Sequence, residues 1–143
     1  MIRSKTSVPV FILERTSKKM KHAFQRVLKK WNTDLTADQW VVLQCLHVTD
    51  GLTQYEIGLQ TYKDAPTLTR IIDKLVRKGL VLRKTNDEDR RKLNIFLTAN
   101  GQKKISDFLP KVIDYRKKIY ANLSDEEIEN LLSILNTIHN NIL

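Results

Sequence analysis

The chain has 143 residues, one domain's worth of sequence and enough for one modest core. Lysine and arginine number 25 against 16 aspartates and glutamates, and a formal charge of +9 points to a polyanionic partner, nucleic acid or an anionic membrane surface. A hydrophobic share of 41% is too high for a disordered chain, while the single cysteine, Cys45, excludes an internal disulfide framework and fits a reducing cytoplasm.

The longest apolar run, residues 8–13, contains Pro9 and is followed by Glu14 and Arg15. It falls far short of the roughly 20 residues a membrane-spanning helix needs, and no small-residue cleavage pattern makes it a signal peptide. A first long helix is expected over residues 10–31. There Leu13, Ser17, Met20, Phe24, Val27 and Trp31 recur at spacings of three and four, with Lys18, Lys19, Lys21, Lys29 and Lys30 on solvated faces. Thr36 and Gln39 have the spacing of a capping box, which opens a helix through Val48 with Trp40, Leu43 and Leu46 inward. Asp50 and Gly51 read as a turn. Thr53 and Glu56 form a second capping box for a short helix ending near Thr61. Asp64 suits an N-cap with Pro66 in the first turn after it, and Gly79 stands where a left-handed C-cap closes that next helix.

After Gly79 the period changes to two. Residues 80–84 and 93–97 read as strands around a charged connection over residues 85–92, which makes a projecting hairpin. Thr98 caps a long helix to about Tyr120, with Ile105, Phe108, Leu109, Val112, Ile113 and Ile119 on one side and Pro110 expected to kink or split it. Ser124 and Glu127 are the last capping box, and behind it Ile128, Leu131, Leu135, Ile138 and Ile142 form a coiled-coil-like seam.

Residues 36–97 therefore make a helix-helix-helix-hairpin unit that closes its own core. Residues 8–32 and 98–143 carry apolar stripes, Leu13, Leu131, Leu135, Ile138 and Ile142 among them, that lack partners inside that unit. A second copy of the chain, related by a two-fold axis, is the simplest closed source of partners.

The helix from Ala65 carries the functional argument. Leu68, Ile71, Ile72, Leu75 and Val76 form the face of a helix lying on a core. Pro66, Arg70, Asp73 and Arg77 fall opposite, flanked by Thr67, Thr69 and Lys74. Small polar side chains near the tip and arginines able to pair with guanine are what a helix entering the major groove needs. Gly58, costly inside a helix, would be explained by a close crossing of two helices. An ordinary amphipathic surface helix shares the pattern, and a solvated charge run is the ordinary reading of a polar loop, but the helix and the hairpin that follows it together favour DNA. The hairpin tip carries Arg90 and Arg91, suited to the negative potential of a narrow minor groove, with Asp89 as an orienting partner for Arg91.

These residues resemble the MarR (multiple antibiotic resistance regulator) family over roughly residues 10–143. The resemblance rests on Leu35-Thr-Ala-Asp-Gln-Trp40, Thr53-Gln-Tyr-Glu-Ile57, Pro66-Thr-Leu-Thr-Arg70, Leu75-Val-Arg-Lys-Gly-Leu-Val81 and, most specifically, Asp89-Arg-Arg-Lys-Leu-Asn-Ile-Phe-Leu-Thr98. It implies one mainly α domain over residues 1–143, a winged helix-turn-helix with a small β-hairpin wing and long terminal dimerisation helices. It implies a homodimer that represses transcription from a palindromic double-stranded operator, with residues 64–78 as recognition helix and Arg91 in the minor groove. A small aromatic or phenolic effector, or cysteine oxidation, usually relieves such repression. The redox-sensing branch carries its cysteine near the start of the first helix, where this chain has none, so Cys45 is not expected to sense oxidants. Effector contacts in the family vary too much to assign residues here.

An enzyme is the competing reading. His22, His47 and His139 lie on three different helices without metal-ligand spacing, and no Gly-rich phosphate loop is present, so neither metal nor cofactor is expected. A helical adaptor that binds proteins, or a nonspecific DNA-coating protein, would show itself by ignoring DNA at low salt or by ignoring its sequence.

Overall fold

The structure, a computed structural model, describes residues 8–142. In chain order its elements are α1 (Val8–Lys30), α2 (Ala37–Val48), α3 (Gln54–Thr61), α4 (Ala65–Arg77), β1 (Val81–Thr85), β2 (Leu93–Leu97), α5 (Ala99–Ile119) and α6 (Asp125–Asn141). The chain divides into two compact units, one through residue 105 and one from residue 106 onward.

In the first unit α2 is the central element. Its start is fixed locally: the Thr36 hydroxyl accepts from the Gln39 N–H at 3.1 Å and Gln39 Oε1 accepts from the Thr36 N–H at 3.2 Å. Trp40, Leu43 and Leu46 are buried as expected, but so are Ala37, Gln39 and Val42, so α2 is surrounded on more sides than one inward stripe predicts. Ile57 of α3, Leu68, Ile72 and Leu75 of α4, and Ile95 of β2 complete the core with it. From α1 the contribution is Leu28, fully buried, with Phe24 and Val27 half-buried and Leu13 and Met20 exposed. The stripe read from spacing thus missed Leu28, which among the described side chains of α1 is the one wholly inside. On α4 the expected inner face holds except at Val76, which is exposed.

The two strands pair antiparallel, with Val81 opposite Leu97 and Arg83 opposite Ile95. The turn before α3 is stitched onto the second strand: the Ile95 N–H donates to Leu52 O at 2.8 Å, Asn94 Nδ2 to Gly51 O at 2.7 Å and the Leu97 N–H to Asp50 Oδ1 at 2.9 Å. Three glycines are required by geometry, the first being Gly51, left-handed at φ +76°, where a Cβ would press on the Phe96 ring. Gly79 closes α4 at φ +72°, left-handed, and a Cβ on Gly101 would run into the carbonyl oxygen of Leu80. Gly58 is different. A Cβ there would meet Lys63 O at 3.6 Å and Leu68 Cδ2 at 3.7 Å, ordinary contacts, so a close helix crossing does not account for it.

The helix α5 runs unbroken through Pro110. Pro110 and Ser106 are both exposed, so water can satisfy the carbonyl that loses its donor, and the helix is not split. In the second unit α6 opens with its capping box, the Ser124 hydroxyl accepting from the Glu127 N–H at 3.1 Å. No residue of α6 is buried; Leu131, Ile138 and Ile142 are exposed and Leu135 half-buried.

Candidate nucleic-acid interface

Helix α4 begins where Asp64 accepts the Thr67 N–H at 2.8 Å, with Pro66 in the first turn. That hydrogen bond, with Thr67's side chain adding to it, holds the Asp64 carboxyl below the usual carboxylate range. Burial of Leu68, Ile71, Ile72 and Leu75 turns the opposite side outward. Pro66, Thr69, Arg70, Lys74 and Arg77 are exposed there and Thr67 is half-buried, so the structure brings all six predicted groups to one face. Two hydroxyls are already engaged. Thr69 accepts from Gln54 Nε2 of α3 at 2.7 Å, and Thr67 accepts from Arg70 Nη2 at 3.4 Å.

The hairpin loop is built, not slack. Asn86 Oδ1 accepts the N–H groups of Glu88 and Asp89 at 2.9 and 3.0 Å, and Asn86 Nδ2 reaches across to Asn94 Oδ1 at 2.9 Å. At the tip Asp89 Oδ1 accepts both the backbone N–H and Nε of Arg91, each at 3.1 Å. The Arg91 side chain is 91% exposed while that of Asp89 is 31% exposed, so the carboxylate is tucked behind the guanidinium it orients. The Arg91 side chain, then its backbone N–H, keep the Asp89 carboxyl low. Arg90 lies exposed next to them.

Other supports were not foreseen from the sequence. Lys78, the residue capping α4, donates to Gln39 Oε1 and to Asp34 O, both at 2.8 Å, tying the helix to the start of α2. Asp38 binds Lys63, just before α4, at 2.7 Å and Lys21 of α1 at 2.9 Å. Burial pushes the Asp38 carboxyl up, but the two lysines outweigh it and leave it below its ordinary value. Arg83 of β1 pairs with Asp73 of α4 at 2.6 Å. Period two on the hairpin held the one available signal, since it puts Arg83 on the same face as the core residue Ile95. Cys45 is half-buried, and burial raises its thiol pKa, the reverse of what a reactive thiolate needs. Among the described residues no cluster of His, Cys, Asp and Glu could hold a metal, and no helix is long and apolar enough to cross a membrane.

A helix with a polar outer face, preceded by a short capped helix and followed at once by a stitched hairpin, defines a winged helix-turn-helix. The family model described as the MarR family matches residues 35–93. The uncharacterized HTH-type transcriptional regulator YwoH of Bacillus subtilis (strain 168) is 35% identical over 95 residues, 66% of this chain and 69% of that one. Among solved structures, the MepR–DNA complex of S. aureus is similar at a TM-score of 0.79 and 27% identity, covering 94% of this chain and 97% of that one. A mutant MarR from E. coli in complex with operator DNA superposes at a TM-score of 0.80 over 96% of this chain and 98% of that one; at 24% identity that likeness speaks for the fold. The chain belongs to the MarR family, whose members are DNA-binding transcriptional regulators and not enzymes.

Proposed function

We propose that two copies of this chain bind a palindromic double-stranded operator, repress transcription there, and let go when a small effector molecule binds. In this reading Pro66, Thr67, Thr69, Arg70, Lys74 and Arg77 face the major groove, and Arg90 and Arg91 enter the minor groove with Asp89 as the orienting group. The observation that carries it is the tip of the hairpin: an almost fully exposed arginine, held by its own carboxylate, on a loop ordered by Asn86. A solvated charge run would have no reason to fix its guanidinium. The net charge of +9 supports a phosphate-rich partner, and the MepR structure named above was solved with DNA bound. The copy-to-copy contact is supported by the exposed apolar side chains of Leu13, Leu131, Ile138 and Ile142, with Leu135 between them on α6.

The test begins by selecting bound duplexes from a random pool, which should yield an inverted repeat with half-site centres about one helical turn apart. Arg70→Ala and Arg91→Ala are then titrated against that operator and a scrambled duplex at one salt concentration. Arg70→Ala should cost about 1–3 kcal/mol on the operator and little on scrambled DNA. Arg91→Ala should weaken both more evenly, because the minor groove is read by width and potential. Equal losses on both duplexes for Arg70→Ala remove α4 as the reading head, and no loss for Arg91→Ala removes the hairpin as a wing.

A further inference from the structure

Arg83 stands on the hairpin strand β1 directly opposite Ile95, so both side chains point to the same face, the one that packs on the body. From there its Nη2 lies 2.6 Å from Asp73 Oδ1 and 3.5 Å from the carbonyl oxygen of Thr69, both on α4. Asp73 belongs to the outward side of α4, between Arg70 and Arg77. The guanidinium is largely out of water, with its side chain 25% exposed, and its Nε–H is buried without a hydrogen-bond partner. An ion pair that is partly desolvated and incompletely bonded is a poor way to add stability; an apolar side chain of similar size packs such a place as well or better. What the pair does supply is direction. It fastens one strand of the hairpin to one turn of the reading helix through a short, charge-assisted bond.

We propose that Asp73 and Arg83 are positioning residues that fix the angle between α4 and the hairpin, so that Arg91 reaches its groove only while α4 sits in its own. The proposal rests on the wing reading of Arg91 given above. Its consequence is that Arg91's contribution depends on a contact Arg91 does not touch. Without the clamp the hairpin still forms, since its ladder and the stitch to the turn at residues 50–53 are intact, but its tip no longer arrives in register.

The experiment is a double-mutant cycle on operator affinity, with Arg91→Ala made in the unaltered chain, in Arg83→Met and in Asp73→Asn. Arg83→Met keeps the aliphatic packing; Asp73→Asn keeps the shape and removes the charge, and serves should the methionine variant fail to fold. Arg91→Ala should cost roughly tenfold in the unaltered chain and no more than about threefold on either clamp-free background, the scale of non-additivity seen for coupled residues. Hydroxyl-radical footprints of the clamp-free proteins should keep protection at the α4 half of each site and lose it where the wing lies. An equal fold-cost of Arg91→Ala on every background, with an unchanged footprint, overturns the clamp and leaves the wing standing. A silent Arg91→Ala in the unaltered chain overturns the wing itself and the clamp with it. A rise in affinity for operator and scrambled DNA alike in Asp73→Asn would show that the pair merely masks a charge, and that also overturns the proposal.

Discussion

Helices α4 and α6 have the same kind of apolar stripe and opposite fates. On α4 Leu68, Ile71, Ile72 and Leu75 are buried within the chain; on α6 no residue is. Hydrophobic burial is worth about 25 cal/mol per Å² of apolar surface, so α4 is stabilised where it stands and α6 leaves that gain unrealised. Amphipathic spacing reports that a helix has a face to cover. It does not report who covers it. For α4 the answer lies in the same chain; for α6 we propose that it lies in a second copy.

The strongest way to break the comparison is to charge the α6 seam. Leu135→Asp combined with Ile138→Asp should abolish the dimer in light scattering and take operator binding with it, while the core around Trp40 is untouched. A dimer of unaltered mass with full DNA binding would place the interface elsewhere. Next in size, Ile72→Ala should cost about 2–5 kcal/mol in urea unfolding, and the loss should not depend on protein concentration. Ile138→Ala should give a smaller loss that shrinks on dilution, because both proteins then dissociate and a contact between copies no longer contributes. Equal, concentration-independent losses would make the two helices alike after all. Smaller again, Gly58→Ala should raise stability by up to about 1 kcal/mol, since the site has room for a methyl group and alanine favours the helix. A lower melting temperature would mean that Gly58 meets a neighbour only in the assembled protein.

The smallest effect concerns Asp38. Its carboxyl is lowered from 3.8 in the folded chain, so its pairs with Lys21 and Lys63 add stability fully present above that value and lost as pH falls through the lowered one. Asp38→Asn should therefore cost less than about 1 kcal/mol at neutral pH, flat between about pH 6 and 8. The gap from the parent protein should close on acidification below pH 3.8. A gap that persists in strong acid would assign the loss to packing.

What the sequence made legible were features written in short range. The three capping boxes, the Asp64 cap, the Gly79 stop and the second strand each occupy a few neighbouring residues and stand where the pattern put them, while the first strand, expected over residues 80–84, runs one residue later, Val81–Thr85. The Asp89–Arg91 pair spans two residues and was equally readable. Misses came where tertiary surroundings decide. Val76 has the spacing of a core residue but lies at the edge of the buried stripe, Leu28 lies off the best α1 stripe yet is wholly buried, and Pro110 does not split α5, since it and Ser106 are exposed. Gly58 has no packing reason in the structure. The supports of α4 were hidden for a related reason. Gln39 and Lys78 are 39 residues apart, and nothing local in either says that one ammonium will join the end of α4 to the cap of α2.

The stitch between the turn at residues 50–53 and β2 has a consequence for the order in which the chain folds. Its side-chain bonds join residues 43 and 47 positions apart, Asn94 to Gly51 and Leu97 to Asp50. The capped helix starts need only near neighbours and can flicker into existence in the unfolded chain within about a microsecond. The stitch must wait until α3, α4 and the hairpin have all been brought round, so the loop-closure entropy of the whole unit falls due at that one step. Substitutions at Asp50 or Asn94 should therefore slow the folding limb of a chevron, whereas loss of the Arg83–Asp73 pair, free to form once the hairpin is in place, should act chiefly on how quickly the native chain comes apart.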